Sequence, residues 1–336
     1  MAVFNFDDLQ EESFVSGLAG TKIFLYGCND CGKTKQATKL PKPFLIMTEA
    51  GGSAVKCPKT PCSSWTKFTQ IVDDITKEKN LEKRQQQINT VIIDTAENLV
   101  DLSERQVCQE FGVRDLSEIT GRQNGYKIAR TNFALQIAKL TSVGYCVVFI
   151  AHEETVELTD ELSGETYPFV QPKGSSNEKS SMRQLRDLCD FCIYLKPMGI
   201  DVETMKTIPS MAICRRTKNV FARSRFNIDT FINPFTAQGL VSAIEKAVER
   251  SAEEEDAMLT TFTRKDENMS VDDYFTMIKP YLSALVPVSA EDVKLIIETE
   301  LGAGKKITEA TEKDKSALDN IYNQLVSKAL MMGIEV

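Results

Sequence analysis

Continuous apolar runs punctuate the first half of the chain. Residues 22–26, 43–48, 90–94 and 145–151 are rich in β-branched and aromatic side chains and show no alternation of apolar and polar positions. That pattern predicts strands buried on both faces, as in a parallel sheet. Runs at 191–195 and 210–214 extend the series. Between the runs lie stretches with apolar residues at helical spacing, 65–87, 97–111 and 122–142; the last carries Tyr126, Ala129, Phe133, Ile137 and Leu140. Strand alternating with helix predicts an α/β fold, a mainly parallel sheet flanked by helices.

The pattern changes after Asn233-Pro234. Residues 238–262 read as an acidic helix containing Glu253-Glu254-Glu255-Asp256, and 264–270 read as a polar linker. Three further helical patterns follow, at 272–285, 289–301 and 311–332. Ser289-Ala290-Glu291-Asp292 supplies a cap and an acidic first turn. The expected organisation is an α/β domain over 1–235, an acidic helix and linker over 236–270, and a small all-α region over 271–336.

The 336 residues carry a net charge of −8, which argues against indiscriminate nucleic-acid binding. The distribution is uneven. Residues 173–225 hold 11 basic and five acidic side chains, a net of +6. A basic stretch in an acidic chain is a candidate anion surface, or simply a solvated face. No apolar run is long enough to span a bilayer, and the N-terminus lacks a basic region followed by an apolar core, so a cytoplasmic location is expected. Nine cysteines, an odd number, are then expected as free thiols. Cys28-x-x-Cys31 has zinc-knuckle spacing; Cys57 and Cys62 flank a polar loop and are candidates to join them in a zinc site or a disulfide. His152 is the single histidine, which removes most histidine-based metal and triad chemistry.

The sharpest motif is Gly27-Cys28-Asn29-Asp30-Cys31-Gly32-Lys33-Thr34, a G-x-x-x-x-G-K-T phosphate-binding loop between a predicted strand and a predicted helix at 35–40. The glycines let successive backbone N–H groups face phosphate oxygens, and the helix N-terminus adds partial positive charge. ATP is the expected ligand, bound by Gly27 to Thr34 together with Lys35. Lys33 is expected on the β/γ-phosphates and Thr34 on Mg²⁺. Cys28 and Cys31 replace the small or polar residues usual in such loops and suggest sensitivity to oxidation; a metal held between them would block a bound nucleotide.

Asp94 closes the strand Val91-Ile92-Ile93, where a carboxylate at the sheet edge would hold Mg²⁺ through water. Hydrolysis also needs a group to orient the attacking water. Glu49 at the end of the second strand is favoured, with Glu97 and His152-Glu153 as alternatives. His152, at the end of the fourth strand, is placed to contact the γ-phosphate and pass its loss to the following segment.

The series strand–GxxxxGKT–helix, strand–TEAGG, strand–DTAENL and strand–AHE resembles the RecA-like ATPases. It is most similar to short phage-encoded AAA/RecA-type proteins that act as single-strand annealing recombinases. The resemblance covers about residues 20–235. It implies that Glu49 is the catalytic base and His152 the γ-phosphate sensor, and that the loop over 153–182 contacts single-stranded DNA. Within Arg215-Arg216-Thr217-Lys218 it implies basic residues, Arg216 and Lys218, that complete the site of a neighbour in a ring or filament. Thr48 stands where an Asp is common before the Glu. The pattern G-x-x-x-x-I-T-x-A-T at 302–311 resembles tail segments of phage annealing proteins and suggests docking to DNA or to a single-strand-binding protein. A phage origin would place the protein in the cytoplasm of a bacterial host.

Apart from the resemblance, the 153–182 segment contains a turn-like stretch at 159–166 and a polar loop at 172–181. Tyr167 and Phe169 are candidate stacking rings, and Lys173, Lys179, Arg183 and Arg186 are candidate phosphate contacts. The leading reading is a DNA-dependent ATPase acting on single strands. The alternative is an ATP-driven assembly factor or switch whose partner is a protein. A small-molecule kinase is a third reading, for which the long helical tail has no purpose.

Overall fold

A computed structural model describes residues 14–49, 55–77, 79–120, 124–177, 180–257, 259–260, 262 and 270–334. Among these, the strands are β1 (Phe14–Val15), β2 (Lys22–Gly27), β3 (Pro43–Met47), β4 (Lys59–Pro61), β5 (Thr90–Asp94), β6 (Cys146–Thr159), β7 (Thr166–Pro172), β8 (Phe191–Lys196), β9 (Met211–Ile213), β10 (Arg223–Ser224), β11 (Phe231–Ile232) and β12 (Leu259–Thr260). The helices are α1 (Lys33–Ala37), α2 (Trp65–Thr76), α3 (Leu81–Gln85), α4 (Ala96–Phe111), α5 (Gly125–Ser142), α6 (Ser181–Leu188), α7 (Ala237–Glu254), α8 (Val271–Leu301) and α9 (Lys315–Met331).

The sheet runs β11-β9-β8-β2-β6-β5-β3-β4. From β8 to β4 every pairing is parallel. The edge beyond β8 is antiparallel. The four apolar runs form the middle, and both of their faces are covered. Phe24, Tyr26, Val91, Ile93, Val147 and Phe149 pack under α2, α4, α5 and α6. Ile23, Leu25, Ile92, Val148 and Ile150 pack under α1 and α7. A strand buried on two faces needs no alternation, which explains the uninterrupted runs. The order also separates β2 from β5: β6 lies between them. The C-terminal ends of β2, β6, β5 and β3 therefore line up along one edge, and every candidate nucleotide residue on those strands stands there.

Some elements differ from the sequence expectation. The helix expected over 65–87 is divided: α2 ends where Lys77 turns extended, at ψ 129°, and α3 starts after Asn80, at φ 68°. The run at 145–151 continues as β6 well past the sheet edge and returns as β7, with Glu153 opposite Pro172 and Thr159 opposite Thr166. The turn expected near 159–166 closes this hairpin: the Asp160 carboxylate accepts from the Leu162 and Ser163 amides, which holds it below the usual aspartate range. The acidic helix ends at Glu254 rather than 262, and Leu259–Thr260 pairs with β1.

The C-terminal helices form their own core from Tyr274, Ile278, Leu285, Val293, Leu318, Ile321 and Leu325. The expected boundary at 289 is a break in α8, where Ser289 leaves helical geometry and its hydroxyl caps through Asp292 at 2.6 Å. α9 rests on α5, with Met331 against Val107 and Ile128. No helix among the described residues is long and apolar enough to cross a membrane.

Candidate functional site

Where the ends of β2, β3, β5 and β6 converge, a cleft of about 700 Å³ opens. It is lined by Asn29, Asp30, Gly32, Lys33, Thr34 and Lys35 from the loop between β2 and α1, by Glu49 and Asp94, and by His152. The loop residues named for phosphate binding are not equivalent: Cys31 is buried and Cys28 half-buried, and both pack against the core cluster that includes α7. Their carbonyls do structural work. Gly27 and Cys28 carbonyls accept from Lys33 Nζ at 2.8 and 2.6 Å, and the Cys31 carbonyl accepts from Ser210 Oγ at 2.8 Å.

Gly27 is required by space as well as by conformation. A Cβ there would sit 2.6 Å from the Leu195 carbonyl and 3.0 Å from Cys31 Sγ. Gly32, at φ 86°, turns the chain into α1 and frees the first amides of that helix toward the cleft.

Thr34 Oγ1 donates to Asp94 Oδ2 at 2.7 Å. Burial raises the Asp94 carboxyl above the ordinary aspartate range; the Thr34 hydroxyl opposes that shift and the nearby Glu49 charge adds to it. A hydroxyl and a carboxylate held in contact beside a lysine ammonium are hard oxygen donors suited to Mg²⁺ next to phosphates. The donor set therefore fits a magnesium nucleotide.

Glu49 is exposed at the cleft mouth, and Asn98 Nδ2 donates to its Oε2 at 3.3 Å. The adjoining backbone is fixed by Thr48, whose amide donates to the Asp94 carbonyl at 2.8 Å and whose hydroxyl donates to the Thr95 carbonyl at 2.8 Å. The rest of the T-E-A-G-G motif, Ala50-Gly51-Gly52, lies outside the described residues. His152 stands opposite Gly27 in register. Glu97 Oε1 accepts from both its amide, at 2.6 Å, and its Nδ1, at 3.2 Å. Glu97 is not among the residues that line the cleft; it is the partner of His152.

These features decide the family. A model of the AAA domain matches residues 19–226. The chain belongs to the AAA domain family. It is also 32% identical over 317 residues to the SPbeta prophage-derived uncharacterized protein YorG of Bacillus subtilis (strain 168), covering 92% of this chain and 94% of that protein. Membership carries a P-loop nucleotide-binding core, and the cleft is where this AAA chain keeps it.

The basic candidates are placed elsewhere. The exposed Arg216 lies over the Phe169 ring at 5.0 Å and the exposed Lys218 over the Tyr167 ring at 5.3 Å, the two rings belonging to β7 of the hairpin. Neither lines the cleft of its own chain. Arg215 is tied to the Ile228 carbonyl at 2.6 Å and to Asn227. Lys173 is exposed at the end of β7, and its amide donates to the His152 carbonyl at 2.9 Å. Arg183 is half-buried on α6. Lys179 lies outside the described residues.

Arg186 requires a correction. It is buried, paired with Asp187 at 2.8 Å and laid on the Phe221 ring at 3.9 Å. A guanidinium so committed holds α6 in place and offers no surface to a phosphate backbone. Phe169 is corrected likewise: at 3% exposure it is a buried ring, with Arg216 laid over it.

All nine cysteines are free thiols. Among the described residues no three histidine, cysteine, aspartate or glutamate side chains form a metal-holding group, and Cys28, Cys31, Cys57 and Cys62 are free thiols. Sequence reasoning missed Asn98 and Ser210. The first is signalled only by its place beside Glu97 at the start of α4; the second has no local signal, since it meets Cys31 across 179 positions.

Proposed function

We propose that the protein is an ATP-hydrolysing, RecA-like protein that binds single-stranded DNA and promotes annealing or recombination. The observation that carries this reading is the β6–β7 hairpin. It begins at His152 on the nucleotide cleft and projects beyond the sheet, with Lys173 where β7 ends and Arg183 on α6, which packs against β7. Lysine and arginine beside a strand-derived arm suit a phosphate backbone, and the half-buried Tyr167 offers a stacking edge.

In this reading Lys33 leaves the carbonyls of Gly27 and Cys28 for the β/γ-phosphates of ATP. Thr34 and Asp94 hold Mg²⁺, which supplies charge neutralisation at the phosphate oxygens. Glu49, steadied by Asn98, orients the attacking water and takes its proton in an in-line displacement on the γ-phosphate. His152 meets the γ-phosphate, and its carbonyl bond to the Lys173 amide carries the change to the hairpin. Arg216 and Lys218 complete the site of a neighbouring copy in a homo-oligomer, since they do not reach their own.

ATPase rate measured with and without single-stranded DNA, across protein concentration, tests the reading together with salt-dependent DNA affinity. About three phosphate contacts predict a loss of roughly 20-fold in affinity between about 50 and about 200 mM salt. Absence of DNA binding at low salt with nucleotide present removes the DNA reading. The alternative, an assembly factor or switch acting on a protein, is favoured by the exposed apolar side chains Ile200, Val202 and Met205 between β8 and β9. DNA-independent hydrolysis with a tight protein partner would select it.

A further inference from the structure

Glu97 is the unexplained group beside the cleft. One oxygen, Oε1, receives both bonds from His152, through the amide at 2.6 Å and through Nδ1 at 3.2 Å. The other, Oε2, is buried and has no hydrogen-bond partner. Folding does not repay an orphaned carboxylate oxygen, so its retention needs a purpose. Glu97 sits in the first turn of α4, directly after the Asp94 strand end and its Thr95 cap. It is thereby fixed to the same corner that holds the metal-site carboxylate.

We infer that Glu97 is a positioning residue that clamps His152, so that ring and strand end move as one body and the nucleotide state of the cleft reaches the β6–β7 hairpin. This rests on the nucleotide-site reading above. A carboxylate only accepts, so Nδ1 is the protonated nitrogen and Nε2 is the one left for the cleft that His152 lines. The same carboxylate grips the amide of His152, while the His152 carbonyl accepts from the Lys173 amide at 2.9 Å. A displacement of the ring is therefore a displacement of the backbone, and the backbone is bonded to the returning strand at the base of the hairpin, just after Pro172. Without Glu97 the imidazole turns about its own side-chain bonds and the backbone need not follow.

Hydrogen exchange of residues 153–173, with and without a fluorescent non-hydrolysable ATP analogue and Mg²⁺, tests this, with analogue binding read by fluorescence on the same samples. Wild type is expected to slow exchange about fivefold on binding. Glu97→Leu, which keeps volume but accepts no bond, should bind the analogue within about threefold of wild type and lose the difference. Glu97→Gln, whose amide oxygen accepts both bonds, should restore it. A full nucleotide-dependent difference in Glu97→Leu overturns the clamp. Loss in Glu97→Gln as well also overturns it, because charge rather than bonding geometry would then be responsible. If wild type binds the analogue and the hairpin does not respond, the relay alone fails; if wild type binds no analogue, the site reading fails with it. Should Glu97→Leu melt out, Glu97→Gln against wild type and Lys173→Pro, which lacks the amide that reaches His152, decides: loss of the difference in Lys173→Pro with retention in Glu97→Gln supports the clamp, and the reverse overturns it.

Discussion

Asn98 Nδ2 donates to Glu49 Oε2 at 3.3 Å, so the first turn of α4 steadies the carboxylate at the end of β3. Glu49→Gln is expected to retain nucleotide binding and lose about 100-fold or more in turnover. Asn98→Ala, which frees the carboxylate without removing it, should lower kcat by about three- to tenfold with KM little changed. Steady-state ATPase assays check both; unchanged turnover in Glu49→Gln excludes it as the base.

Asp94→Asn separates function from stability. Burial raises the Asp94 carboxyl above its unfolded value, so the ionised form is disfavoured by folding. The sign follows: the ionised group costs stability at neutral pH, and the cost fades as pH falls through the folded value. Asp94→Asn should melt no lower than wild type near neutral pH without nucleotide, while magnesium-dependent hydrolysis drops about 100-fold or more. A lower melting temperature contradicts the placement.

Gly27→Ala forces a methyl group to within 2.6 Å of the Leu195 carbonyl, a backbone atom that cannot swing away. Overpacking of this kind costs about 1–3 kcal/mol. Denaturant unfolding should report that loss, and nucleotide binding should fall with it because the loop cannot close on β8.

Ser210→Ala removes the hydroxyl that satisfies the Cys31 carbonyl at 2.8 Å. The expected cost is about 1–3 kcal/mol for a buried acceptor left without its donor. Nucleotide affinity should weaken several-fold, since the phosphate loop loses its tie to β9. Isothermal titration of a magnesium nucleotide measures it.

The Cys31 thiol is pushed up to about 11, chiefly by burial and against the lowering effect of the Lys33 charge. The thiolate is the reactive form, so alkylation should rise about tenfold per pH unit toward that value and be slow near neutrality. Peptide mass spectrometry after iodoacetamide treatment reads the rate. Fast modification of Cys31 at about pH 7.5 would contradict the burial. On this placement Cys31 is not expected to carry the oxidation sensitivity suggested by the cysteine-rich loop.

The sequence by itself determined the central strands β2, β3, β5, β6 and β8, because residues buried on two faces must be apolar without interruption; the short or exposed strands β1, β4, β7, β10, β11 and β12 carry no such run. It also determined the phosphate loop and Asp94, because these motifs are short and sit at the ends of those strands. Ser289 showed its break in α8 through a local cap. Tertiary structure alone decided the rest. That β6 lies between β2 and β5 is a matter of sheet order, and it brings His152 into the cleft. Arg186 reads as a surface cation in the chain, yet Asp187 and Phe221 bury it. Glu97 and Ser210 gained partners 55 and 179 positions away. Local periodicity records how each segment is buried; it holds no record of which distant segment does the burying.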